Sequence, residues 1–185
     1  MRLYKGKHVD LEMGVILDSA TIQIGDVVKS PALGLDAADG VADPIYGLVV
    51  GIVTPKGIPV NQANTSEYTG TWTNSTQVYD AAATNETVDM IQALVRPLDG
   101  TETLSAEMDA ALGTTTGSDL VGYYVSVLTT DSTKLDESTT HATNRLQFKI
   151  VDNGQGENKG QDPVLQGNNV LIRVNEVDVP RSDQA

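Results

Sequence analysis

The chain has 185 residues, no cysteine and a formal charge of −13. At that length size is no constraint on stability, since most of what the unfolded chain exposes can be buried, and the missing cysteines exclude disulfides, thiolate metal sites and cysteine nucleophiles together. The acidic excess repels phosphate backbones and anionic lipid surfaces, which argues against nucleic acid and membrane as partners. Aromatic residues make up only 4%, so Val, Ile, Leu and Ala must fill the core, while the abundant Thr suits exposed faces of strands.

The charge is unevenly spread. Arg2, Lys5 and Lys7 precede the first acid, Asp10, so residues 1–10 read as a basic N-terminal arm on an acidic body, with Tyr4 as an anchor among the charges. Such an arm is either a solvated terminus or an electrostatic hook for an acidic partner, and in the second case Arg2, Tyr4, Lys5 and Lys7 are the partner-binding residues. Removing residues 1–7 is then expected to leave melting unchanged while loosening attachment. Asp10 and Glu12 interrupt the apolar run that a signal peptide needs, and no segment approaches the roughly 18 to 20 apolar residues of a membrane span. The expectation is a protein made and folded in the cytoplasm.

Residues 11–180 read as a single β-rich domain with room for two sub-barrels, followed by a flexible tail at 181–185. Leu11, Met13, Val15 and Leu17 alternate with Glu12, Gly14, Ile16 and Asp18, which predicts a strand over about residues 10–18 with one face in the core. Ile22 and Ile24, the Gly25-Asp26 turn and Val27-Val28 predict strand, tight turn and strand. Residues 30–44 are rich in Gly, Ala, Asp and Pro and read as a long loop, a candidate contact surface. The run over 45–53 is almost wholly apolar, with Gly47 and Gly51 four apart. It should be a central strand buried on both sides, its glycines marking a bend or a close backbone approach.

Tyr68, Gly70 and Trp72 alternate with threonines in a short strand, and 87–95 reads as a strand ended by Arg96-Pro97. Over 105–112 the signals are helical: Ser105 as cap, Glu107 and Asp109 in the first turns, and Gly113 as terminator. Further strands are expected over 120–128, 146–151 and 170–174, the last extendable through Val177 and Val179, with a polar, glycine-rich loop over 152–167. The fold class is therefore mainly β, a small barrel or sandwich with one short helix and long loops.

No catalytic pattern rises from these residues, and the chain reads as no enzyme. His8 and His141 lie far apart without a second nitrogen ligand at metal spacing, the GxSxG elbow is missing, and Gly154–Gly160 lacks the order of a phosphate loop. Asp36, Asp39 and Asp43, with Gly40 between them, are the oxygen set a flexible calcium loop would use, but the EF-hand spacing is not there and solvated loop acids are the plainer reading. Paired acids such as Asp136-Glu137, or Glu107 with Asp109, lack the aromatic-rimmed cleft of a glycosidase. No cofactor or metal is assigned.

Ile24-Gly25-Asp26-Val27-Val28, the glycine-spaced run from Tyr46 to Val53, the stretch from Leu112 to Tyr124 and the terminal Val170-Leu171-Ile172-Arg173-Val174 resemble the β-barrel capsid decoration (head cement) proteins of tailed bacteriophages. The resemblance implies a virion structural protein on the outer surface of an assembled capsid, made in the host cytoplasm, which bridges neighbouring major capsid subunits and self-associates, a trimer being favoured. Two other classes compete: a tail-tube, head-completion or fibre-associated subunit, and a non-catalytic carbohydrate-binding module using Trp72, Tyr68, Tyr123 and Tyr124.

Overall fold

A computed structural model of the chain describes residues 1–6, 8–17, 20–29, 34–40, 43–62, 70–73, 76–81, 91–110, 120–143, 145–153 and 168–175. Within these the chain is almost wholly β, and its strands form three layers with two apolar cores between them. The regular helical element among the described residues is one 3-10 turn, Val60–Gln62.

The chain opens with β1 (Arg2–Lys5) and β2 (Glu12–Val15), followed by β3 (Thr21–Gln23), β4 (Val27–Lys29) and β5 (Asp36–Ala37). The middle holds β6 (Gly47–Val53), β7 (Thr71–Thr73), β8 (Val78–Asp80) and β9 (Gln92–Pro97). The last five are β10 (Thr103–Met108), β11 (Tyr124–Leu128), β12 (Asp131–His141), β13 (Phe148–Asp152) and β14 (Asn169–Val174).

Those five close on themselves. β12 pairs with β11, β11 with β13, β13 with β14 and β14 with β10, and a parallel pairing of Glu107 and Met108 with Lys134 and Leu135 returns β10 to β12. Closure leaves a barrel interior filled by alternate residues: Leu104, Ala106, Met108, Val125, Val127, Leu135, Phe148, Ile150, Val170, Ile172 and Val174. Glu107 is paired across both edges of β10 at once, with Lys134 on one side and Asn169 on the other. β1 pairs antiparallel with residues 103–105 and so continues the edge that β12 occupies further along.

A five-stranded sheet, in the order β2-β9-β6-β4-β5, packs on this barrel, and a three-stranded sheet, β3-β8-β7, packs on its far side. Val27, Ile45, Leu48 and Leu98 belong to the barrel core, whereas Val28, Val49, Ala93 and Val95 join Ile22 and Tyr79 in the second. Adjacent residues of β4 and β6 thus serve different cores. This bears out the reading of 45–53 as a strand buried on both faces, with one exception: Val50 is exposed at a register shift between Val49 and Gly51. Both glycine expectations hold. A Cβ on Gly47 would lie 2.3 Å from Val95 Cγ1 and 2.7 Å from the Arg96 carbonyl oxygen, a close approach, and Gly51 sits at the bulge.

Several expectations are corrected. The helix expected over 105–112 is strand β10 as far as Met108. Leu104, Ala106 and Met108 alternate inward, and strand neighbours on both edges outweigh a cap signal worth about 1 kcal/mol. Residues 111 and 112 lie outside the described residues. The first predicted strand is β2, shorter than expected, and the N-terminal half of its apolar set stays outside. Ile16 is buried and Gly14 makes room for Leu35, whose Cδ1 would lie 2.3 Å from a Cβ there, while Leu11 and Met13 are exposed. The Gly25-Asp26 turn is present, yet β3 and β4 part into different sheets. The expected arm is, for residues 2–5, a strand of the barrel sheet, with the Met1 side chain packed against the barrel core. The tail at 181–185 and the extension through Val177 and Val179 lie outside the described residues.

Candidate functional site

Pairing with β10 puts the basic residues of β1 on the outside of the barrel. Arg2 stands opposite Ser105 and Lys5 opposite Thr103, with Tyr4 at the register shift between Leu3 and Lys5. Thr103 and Ser105 alternate with the inward Leu104 and Ala106, so Arg2 and Lys5 project outward. Gly6 lets the strand end pass closely over a buried ion pair: a Cβ there would lie 3.0 Å from Arg96 Nη2 and from Glu102 Cγ, two residues whose own charges stand 3.9 Å apart.

The same outer face continues across the sheet. Arg173 of β14 donates through Nε to Thr103 Oγ1 at 3.3 Å, and it stands opposite Lys149 of β13. Lys149 in turn stands opposite Tyr124 of β11, its ammonium 5.8 Å from the ring centroid. Tyr124, Lys149, Arg173, Thr103 and Lys5 therefore form one row across five strands. From Lys149 to Lys5 the row spans three strand spacings, on the order of 14 Å. Arg2 lies beside it, next to Ser105. All four cations are exposed, and none forms an ion pair with a described residue. In a chain of charge −13 this row is a local excess of positive charge, with Glu107 as an exposed acid beside Arg2 on the same face of β10.

Of the four residues expected to bind a partner, the structure places Arg2, Tyr4 and Lys5 together on one strand, Tyr4 being 44% exposed. Lys7 lies outside the described residues. Lys149 and Arg173 were not singled out from the sequence. Each is a lone cation alternating with apolar residues in a strand, and only cross-strand pairing shows that they stand beside Lys5.

A second cluster explains the acidic loop. The cation between Asp36, Asp39 and Asp43 is the Lys29 ammonium, 3.7, 2.8 and 3.1 Å from their nearest oxygens. Asp43 Oδ2 also accepts the N–H groups of Asp39 and Gly40 at 3.2 and 2.9 Å, folding the loop around the ion pair. Burial pulls the lysine pKa down, but hydrogen bonds to Asp39 and Asp43 outweigh it and hold the group above its usual value. The hydrogen bond from Lys29 holds the Asp39 carboxyl below its own. Beside this cluster a cavity of about 330 Å³ is lined by Asp26, Asp36, Asp39 and Asp131 together with hydroxyl-bearing side chains. Asp26 is buried, and desolvation pushes its pKa up against the hydrogen bond it accepts from the Gln23 N–H at 2.7 Å.

Gln147 ties the loop to the barrel. It is fully buried, its Oε1 accepts the Val127 N–H at 3.0 Å, and its Nε2 donates to the carbonyls of Gly40 and Asp43 at 2.8 and 2.9 Å. The aromatic residues named for sugar stacking are divided between bodies: Trp72 packs against the second core, Tyr123 against the barrel core, and Tyr68 lies outside the described residues. No family model matches the chain, and no curated protein and no solved structure matches it.

Proposed function

We propose that this protein is a virion structural protein that binds the outer surface of an assembled tailed-phage head and stabilises it by bridging neighbouring major capsid subunits. The observation that carries the reading is the row of exposed cations, unpaired among the described residues, on an otherwise acidic β body. It is a face that a neighbour of opposite charge completes, on a molecule whose field suits the outside of a shell away from packaged nucleic acid. The resemblance of Ile24–Val28, the glycine-spaced strand β6 and the terminal strand β14 to head cement proteins names the shell. A decorating protein that touches several subunits of one lattice gains by effective concentration, by about 100-fold or more over a single contact.

Stabilisation of this kind is linkage: the protein binds the assembled lattice and not its dissociated subunits, and so shifts disassembly by mass action. The test uses heads lacking the protein. They are expected to assemble but to fail earlier on heating, and purified protein added back is expected to restore resistance in proportion to the sites filled. Many symmetric copies seen on the outer shell by electron microscopy support the reading. A single ring at the tail, or no association with virions, overturns it in favour of a tail component or a sugar-binding module.

A further inference from the structure

At the end of the cation row nearest β13, the barrel surface holds a cavity of about 400 Å³, lined by Lys149, Arg173 and Asn175 on the strand side and by Gly100, Val121 and Gly122 on the turn side. From this geometry we infer that the cavity is a socket for carboxylate side chains of an acidic polypeptide segment presented by a partner protein.

Four observations carry the inference. Lys149 and Arg173 stand opposite each other on adjacent strands, like charges whose repulsion is eased by the Tyr124 ring beside the Lys149 ammonium and would be eased further by an anion between them. The bond from Arg173 Nε to Thr103 fixes the plane of the guanidinium while its two terminal nitrogens have no partner among the described residues. That leaves the fork that grips a carboxylate through two parallel hydrogen bonds. The opposite wall offers space rather than side chains. Gly100 and Gly122 adopt φ of 82° and 93°, in the left-handed region, and nothing lies within 4 Å of where a Gly122 Cβ would stand. Val121, 47% exposed, supplies an apolar contact at the rim.

Overall charge selects the polypeptide over a phosphate polymer. A nucleic acid brings a continuous line of charge that must run past a body of −13, whereas a short acidic segment at the Lys149–Arg173 end of the row lies away from Glu107, the exposed acid of β10 that lines a surface pocket together with Arg2. The inference rests on the proposed docking role for where the partner sits, but not for the binding chemistry, which the isolated protein can report.

The experiment is a titration of the full-length protein with a hexaglutamate peptide, followed by backbone amide NMR, with inorganic phosphate and a single-stranded oligonucleotide in parallel. Shifts centred on Lys149, Arg173 and Gly122 are expected. The double variant Lys149→Gln/Arg173→Gln should weaken binding by about tenfold or more. Lys56→Gln, a remote exposed cation, should leave it unchanged. Retained amide dispersion in the double variant separates lost binding from lost fold, and Lys149→Arg, which keeps the charge, should bind as the parent does. Unchanged affinity in the double variant, shifts elsewhere, or binding of the oligonucleotide as tight as that of the peptide overturns the socket. Peptide binding by a protein that does not associate with heads upholds the socket and removes the decoration reading. Full head occupancy by the double variant removes the socket as the head contact and leaves the decoration reading standing.

Discussion

Gln147 shows how much one buried polar side chain can carry. Its three hydrogen bonds join the barrel wall at Val127 to the loop that Lys29 gathers, and all three partners are backbone groups, of which the Gly40 carbonyl also accepts the Asp43 N–H at 3.0 Å. Gln147→Leu keeps the volume and removes all three bonds, leaving the Val127 N–H and the Asp43 carbonyl without this partner, so it is expected to destabilise by about 2–3 kcal/mol, measured as the shift in urea midpoint at unchanged m-value. The two perturbed aspartates act in opposite directions. The raised pKa of Asp26 means that the folded state binds its proton more tightly than the unfolded state does. Its contribution is therefore present below the usual aspartate range and lost as pH rises through the folded value. The depressed pKa of Asp39 gives the reverse: its contribution holds above the usual range and is lost as pH falls through the folded value. Asp26→Asn, which can still accept the Gln23 N–H, is expected to be more stable than the parent at neutral pH. The advantage should close below about pH 4, and a melting series from pH 3 to 8 checks it.

Among the elements, β6 gives the sharpest contrast, because its two glycines are present for different reasons. Gly47→Ala forces a methyl into Val95 and the Arg96 carbonyl and is expected to cost about 1–3 kcal/mol. Gly51→Ala meets Leu94 only at 3.5 Å or more, in ordinary contact, and is expected to be neutral or stabilising by up to about 1 kcal/mol through the reduced freedom of the unfolded chain. Denaturant titration of both variants side by side decides the assignment. β1 changes the meaning of a truncation. Because residues 2–5 pair with β10 and Met1 packs on the barrel core, deleting residues 1–5 is expected to lower stability by about 2 kcal/mol or more, contrary to the behaviour of a dispensable arm. Arg2→Gln/Lys5→Gln keeps the strand and removes only the charges, so its melting should match that of the parent.

At the scale of the whole molecule, the proposed decoration role makes charge the property that separates attachment from folding. The cations of the outer face stand where a neighbour's carboxylates would meet them, and exposed pairs of this kind contribute about 0.5 to 1 kcal/mol each and weaken with salt. Raising ionic strength is therefore expected to loosen attachment to heads while leaving the melting temperature of the free protein nearly constant. Arg2→Gln/Lys5→Gln should imitate that effect at low salt. Occupancy on heads, counted by gel densitometry across a salt series, checks both, and equal occupancy of parent and variant at every salt concentration would count against the basic face as the contact.

What the sequence determined by itself are the properties that do not depend on which partner a segment finds. The absence of cysteine chemistry, the aliphatic filling of the core, the β character and the glycine-marked irregularity of β6 were legible because composition and period-two alternation act locally. Alternation says that a strand has two faces but not which face turns inward. The placement of Leu35 against Gly14 settled that for β2, leaving Leu11 and Met13 outside. The cap signals at Ser105 were local and worth little against two strand ladders and three buried side chains, so only the closed barrel made β10 a strand. β12 has one deeply buried apolar residue, Leu135, among its eleven residues, and no pattern announces it; its pairing with β11 and β10 makes it a strand. The candidate site was decided in the same way. Lys5, Lys149 and Arg173 are distant in sequence, and they share a face because β10 carries β1 along one edge and β14 along the other.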